Sequence, residues 1–197
     1  MDALFSKPPL IIDNGSGVIK AGLAGEEKPT LEFNTYVGRP KHVKVMMTTS
    51  EKNDDVFAGK DCDKYKGILT LNYPMRHGVV EDWDDMELIW KHIYHELKIS
   101  PQEHQLLISE AALNPYENRS KIAEIFFENF GVPAIFFETQ SVLSLYAQGK
   151  ITGVVMDVGD GVSQIAPIFE GYAIKNAVQR INLGGRDITE NLMTLIR

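Results

Sequence analysis

Short apolar runs alternate with helix-like stripes along the chain. The run Leu10-Ile11-Ile12-Asp13 suits a buried pleated surface and predicts a strand. Asn14-Gly15-Ser16-Gly17 follows, then a second apolar run from Val18 to Ala24; an Asn-Gly pair between two such runs predicts a hairpin. From Glu26 to Lys66 the pattern is irregular and polar. Residues Lys41 to Asp63 hold scattered hydrophobes, many Asp and Lys, and no sustained period, which predicts a small mobile lobe or long excursion.

Regularity returns at Asp82. Apolar positions 83, 86, 89/90, 93 and 97 follow the 3.6-residue period and predict an amphipathic helix to Leu97, with carboxylates at its positive end. A strand is expected over Gln105–Ser109, and a helix over Glu117–Asn129 closed by Phe130-Gly131-Val132-Pro133. Ala134–Phe137 reads as a short strand and Thr139–Tyr146 as a third helix. A new block begins at Thr152: strand Val154–Asp157, turn Val158–Gly161, return strand Val162–Phe169, turn Glu170-Gly171 and a strand over Tyr172–Ile181. Gly184-Gly185-Arg186-Asp187 then opens a helix, Ile188–Ile196. Such alternation predicts a mixed α/β fold.

Composition narrows the function classes. The 197 residues are 44% hydrophobic and 24% charged, enough for one domain or two small lobes. Twenty basic against twenty-seven acidic side chains give −7, which counts against nucleic-acid binding. No apolar run approaches the ~18 residues of a membrane span, and Met1–Pro9, with Asp2, lacks the apolar core of a secretory signal. Cys62, the single cysteine, has no intrachain disulfide partner; a reduced compartment and a buried, inert thiol are expected.

The most informative pattern is a duplication. Ile11-Ile12-Asp13-Asn14-Gly15-Ser16-Gly17 and Val155-Met156-Asp157-Val158-Gly159-Asp160-Gly161 share apolar-apolar-Asp-x-Gly-x-Gly, each between two predicted strands. One copy is a weak signal, but two in equivalent contexts imply related half-domains facing each other. Glycine turns let backbone N–H groups approach a polyphosphate closely. Ser16 adds a hydroxyl and Lys20 a point charge. Asp13 and Asp157 would repel bare phosphate, so a cation such as Mg²⁺ is expected between them; the plainer alternative is that both merely cap their turns.

Longer stretches carry a family resemblance. Tyr73-Pro74 with His77-Gly78, Trp83-Asp84-Asp85-Met86-Glu87, Asn114-Pro115, Val142-Leu143-Ser144-Leu145-Tyr146, Gly159-Asp160-Gly161-Val162 and Gly185-Arg186-Asp187 resemble the actin family, from about Leu10 to the end of the chain. The runs Asp13–Gly22 and Tyr36–Met46, with Tyr73-Pro74-Met75 and Val132-Pro133-Ala134, are more similar to centractin, the actin-related subunit of dynactin. The compact Leu97-Lys98-Ile99-Ser100-Pro101 lacks a centractin insertion, so divergent conventional actin is the rival.

The resemblance implies an actin-like ATPase (ribonuclease H-like) α/β fold of duplicated half-domains, with only the N-terminal half present. It implies a first subdomain from 1–34 and 73–146, a small mobile one over 35–72, and the starts of a third and fourth over 147–183 and 184–197. ATP and Mg²⁺ are the implied cofactors. Gly15, Ser16, Gly17, Val18 and Lys20 match one phosphate loop; Gly159, Asp160, Gly161 and Val162 match the other; Gly185, Arg186 and Asp187 match the sugar-side loop. Asp13 and Asp157 match the carboxylates that hold Mg²⁺ through its waters, and Gln140 the glutamine that orients the attacking water. His77 matches a histidine that actins often methylate.

Two departures stand in the second hairpin. Gln164 replaces the family's histidine beside the catalytic water, and Val158 its serine. Glutamine cannot shuttle a proton near neutral pH, so slow hydrolysis with binding retained is expected, and Gln164→His is expected to raise turnover. The implied partners are actin-like subunits in a filament, through the lobe carrying Arg39, Lys41, Lys44, Asp54 and Asp55, and dynactin subunits. No nucleic acid or membrane insertion is expected, and the implied location is the cytoplasm and cytoskeleton. A superfamily phosphotransferase and a non-hydrolysing module are the competing readings. The chain has roughly half the family's length, so adenine-side elements are expected to be missing and Phe126, Phe127, Ile135 and Phe136 to lack packing partners.

Overall fold

The computed structural model describes residues 7–41 and 56–197. Lys44, Asp54 and Asp55, with most of the expected mobile lobe, lie outside the described residues.

The first hairpin forms as the pattern predicts: β1 (Leu10–Asn14) pairs antiparallel with β2 (Val18–Leu23), which pairs with β3 (Leu31–Asn34). A small antiparallel sheet follows within the stretch that reads as irregular: β4 (Val37–Pro40) lies between β5 (Phe57–Ala58) and β6 (Leu69–Asn72), beside the short helix α1 (Lys60–Lys64). Its strands carry little periodicity because they are only two to four residues long. The Arg39 guanidinium grips the buried Asp85 carboxylate through both nitrogens, and Asn72 Nδ2 donates to the same carboxylate at 2.7 Å. Arg39 thereby holds Asp85 below the usual carboxylate range. Cys62 is buried in this sheet's core, and burial pushes its thiol up to about 11, an inert group as expected.

β7 (Met75–Arg76) and β8 (Val79–Val80) make a tight hairpin over His77-Gly78. Helix α2 (Trp83–Leu97) is capped by Asp82, whose side chain accepts from Asp85 N–H at 3.1 Å. β9 (Leu106–Glu110) and β10 (Ile135–Thr139) run parallel beside β1, giving a five-stranded sheet in the order β10-β9-β1-β2-β3. Helix α3 (Tyr116–Glu124) continues into a wide π turn over Ile125–Phe130 instead of running as one α-helix to Asn129. Leu10, Ile12, Leu106 and Ile108 of the sheet and Met86, Ile89, Trp90 and Ile93 of α2 share one core with Phe126 and Phe130 of that turn. The Trp90 and Phe126 rings lie 4.7 Å apart.

Helix α4 (Gln140–Ala147) leads to the second sheet, where β11 (Gly153–Val158) and β12 (Ser163–Phe169) form the second hairpin. The stretch expected as one strand over Tyr172–Ile181 is interrupted. β13 (Tyr172–Ala173) and β14 (Gln179–Ile181) both pair with β12, and a 3₁₀ turn between them projects out of the ladder. That excursion buries Val178 against Ala112 and Ala166, a long-range contact that overrides local strand propensity. Helix α5 (Gly185–Leu195) follows, and Asp187 accepts from Gly184 N–H at 2.8 Å, which closes its first turn.

One packing expectation is corrected. Phe126, on the π turn, is fully buried beside Trp90 of α2, and Ile135 packs against the main core; Phe127 and Phe136 are exposed. A larger apolar exposure lies on the second sheet, where Val154, Met156 and Val158 alternate outward from β11. Ile188, Leu192 and Leu195 of α5 are exposed as well. Among the described residues no helix is long and apolar enough to cross a membrane.

Candidate functional site

The two duplicated hairpins meet. In the first, Asp13 stands opposite Lys20 across the ladder; in the second, Asp157 stands opposite Gln164. Their turns approach so closely that a Cβ on Gly17 would lie 2.6 Å from Asp160 Cβ, and one on Gly161 2.8 Å from Ser16 Oγ. These glycines are therefore needed for turn-to-turn contact as well as for open backbone.

A third element wedges between them. The His77-Gly78 turn has both residues at positive φ, 47° and 73°. Gly78 N–H donates to Ser16 Oγ at 2.9 Å, and His77 Nδ1–H donates to the Gly161 carbonyl at 2.8 Å. Ser16 accepts here and keeps its own hydroxyl proton for another acceptor. Arg180 fastens this turn, donating from Nη2 to the His77 carbonyl at 2.6 Å and from Nη1 to the Ala112 carbonyl at 2.9 Å. Burial holds its guanidinium below the usual arginine value.

Asp13, Ser16, Lys20, Gln140, Asp157 and Gln164 all line one cleft of about 580 Å³, with Gly15, Gly17, Val18, Gly159, Asp160, Gly161 and Val162. The sequence-predicted phosphate, water and cation residues are thus brought together. Asp13 Oδ1 accepts from Ser109 Oγ at 2.6 Å and from Gln140 Nε2 at 3.1 Å. Ser109 Oγ also accepts from Asn14 N–H at 2.9 Å, and Asn14 Oδ1 from Trp90 Nε1 at 3.3 Å, which ties the carboxylate to the core. Asp157 Oδ2 accepts from Gln164 Nε2 at 2.9 Å. Hydrogen bonds among the described residues use one oxygen of each aspartate and leave Asp13 Oδ2 and Asp157 Oδ1 for other donors.

Gly185, Arg186 and Asp187 do not line this cleft. Arg186 and Asp187 border a neighbouring one of about 620 Å³. Arg186 latches the two hairpins: Nη2 donates to the Ser16 carbonyl at 2.8 Å and pairs with Asp160 at 2.8 Å, and the guanidinium lies over the Tyr73 ring, 4.5 Å from its centroid. Gly185 N–H donates to the Gly159 carbonyl at 3.0 Å. These residues brace the second turn from behind.

The family model for actin matches residues 6–197. The chain belongs to the actin family. Its mixed sheets and helices are those of the actin-like fold, and the chain is an actin-like protein. Against that family the donor set fits a divalent cation with polyphosphate. Two carboxylates, one lysine and two glycine turns face one cleft, and no group of three or more His, Cys, Asp or Glu forms a self-sufficient metal cage among the described residues. Magnesium is usually held in this way, by one or two carboxylates, waters and phosphate oxygens. Sequence reasoning missed Ser109, Arg180 and the wedging role of His77-Gly78. Each acts through a partner at least 60 positions away, so no local pattern marks it.

Proposed function

We propose that the cleft between the two hairpins binds the phosphates of ATP with Mg²⁺, and that the protein is a nucleotide-dependent filament subunit of centractin type. The observation that carries this reading is the convergence of both Asp-x-Gly-x-Gly turns, Lys20 and Gln140 on one cleft. Asp13 and Asp157 would hold the cation, which neutralises charge on the phosphates when bound. Ser16 and the amides of Gly17 and Gly161 would face phosphate oxygens, Gly15 and Gly159 would shape the turns by donating to the Asp13 and Val162 carbonyls, and Lys20 would supply a point charge. The Gly185–Asp187 segment serves the nucleotide indirectly, by bracing the second turn.

Gln140 is the residue for orienting an attacking water. Its Nε2 is engaged by Asp13 and Ser109, which presents Oε1 as the acceptor for a water O–H. A neutral amide orients but does not deprotonate, so hydrolysis rests on positioning and is slow. The centractin-type runs around Asp13 and Tyr36 support assembly with actin-like subunits in a dynactin-like complex of the cytoplasm and cytoskeleton. The five-stranded sheet, small sheet, second sheet and α5 support the fourfold division into 1–34 with 73–146, 35–72, 147–183 and 184–197. The test is Mg²⁺-dependent retention of ATP, with competition by inorganic tripolyphosphate, followed by sedimentation with ATP. Tripolyphosphate competition together with ATP-dependent pelleting is expected. Retention without polyphosphate competition would remove the phosphate grip, and absence of pelleting would remove the filament role.

A further inference from the structure

Gln164 is 2% exposed and bonded at both ends of its amide. Nε2 donates to Asp157 Oδ2 at 2.9 Å, and Oε1 accepts from Ala112 N–H at 2.7 Å. Ala112 lies just beyond β9, the strand whose Ser109 holds the other aspartate, Asp13. One planar side chain therefore links the carboxylate of the second hairpin to the sheet that carries the first. The matched register position in the first hairpin, Lys20, is exposed, so the two hairpins use this position differently.

We propose that Gln164 is a positioning residue: an inter-sheet strut that sets the orientation of Asp157 toward the cation, instead of a group that touches the reacting water. This rests on the Mg²⁺–nucleotide reading of the cleft. These two bonds use one N–H and one oxygen lone pair, so protein partners at both ends, and not a water, fix the plane of the amide. A neutral amide suits a strut, because it donates at one end and accepts at the other in a single protonation state. Partners that orient a cation ligand in this way typically change metal affinity by about 10–100-fold when removed.

The experiment compares the native full chain with Gln164→Leu and Gln164→Glu by two readouts. The first is amide hydrogen exchange at Ala112 without nucleotide. The second is the Mg²⁺ concentration needed for half-maximal ATP retention, measured beside the hydrolysis rate at saturating Mg²⁺. In Gln164→Leu, Ala112 exchange accelerates by about tenfold and the Mg²⁺ half-point rises by about tenfold or more. Gln164→Glu keeps the acceptor oxygen for Ala112 but sets a second carboxylate against Asp157, so Ala112 exchange stays slower than in Gln164→Leu. Unchanged Ala112 exchange in Gln164→Leu overturns the strut. So does slower hydrolysis at saturating Mg²⁺ with an unmoved Mg²⁺ half-point, which would place Gln164 at the water. If the native chain retains no ATP, the nucleotide reading fails separately, and Ala112 exchange alone upholds or removes the strut.

Discussion

Replacing Ser109 by alanine removes one oxygen that serves three groups. Its hydroxyl donates to Asp13 Oδ1 at 2.6 Å and accepts from Asn14 N–H at 2.9 Å and Gln140 Nε2 at 3.3 Å. Ser109 is 4% exposed and Asn14 6%, so the orphaned N–H does not regain bulk water freely. A hydrogen bond to a charged acceptor contributes about 1.5–3 kcal/mol, and an unsatisfied buried donor costs about 1–3 kcal/mol. The cleft admits water on the Asp13 side, which offsets part of this, so the loss in Mg²⁺–ATP binding is about 2 kcal/mol, or roughly 30-fold. Ser109→Thr keeps the hydroxyl and restores most of the affinity. The assay is equilibrium binding of ATP at fixed Mg²⁺, beside urea unfolding of each variant to separate binding from folding. Equal affinity of the alanine variant and the native chain would refute the argument that Ser109 holds Asp13 in place.

Phe126→Ala empties a fully buried ring site beside Trp90 and Phe130 and is expected to cost about 3–5 kcal/mol in urea unfolding; a loss under about 1 kcal/mol would remove Phe126 from the core. Asp85→Asn breaks the clasp on the small sheet. Breaking a buried pair costs about 3–5 kcal/mol, discounted here to about 1–3 kcal/mol because Arg39 is half exposed. Asp85 is depressed in the folded state, so its contribution is full above the unfolded value of ~3.9 and fades as pH falls through the folded value. The native chain should therefore lose stability below about pH 4 more steeply than Asp85→Asn, and parallel pH profiles in thermal melts would contradict this. Gly161→Ala sets a Cβ 2.8 Å from Ser16 Oγ and 3.2 Å from His77 N, so ATP retention should fall about tenfold as the turns are forced apart; unchanged retention would show that their spacing does not matter.

What was legible in the sequence was local. The Asp-x-Gly-x-Gly hairpins announce themselves because Asp, Gly and flanking strand residues act within seven positions, and α2 because its stripe and Asp82 cap lie within one element. The small sheet was not legible, since β4 is only four residues long and is held by long-range contacts, Val37 in the main core and the Arg39–Asp85 ion pair to α2. The latch that Arg186 makes across the two hairpins was not legible either, because its partners Ser16 and Asp160 are set by the tertiary approach of the turns. The π turn that buries Phe126 likewise follows from the aromatic cluster it joins, which no helical period reveals.

The most direct test of the phosphate cleft is equilibrium binding of labelled ATP to the full chain with and without Mg²⁺, for the native protein and for Asp13→Asn with Asp157→Asn. Saturable, Mg²⁺-dependent binding by the native chain is expected, lost in the double variant with its fold retained in circular dichroism. Equal binding by both proteins, or no saturable binding by the native chain at millimolar ATP, would contradict it.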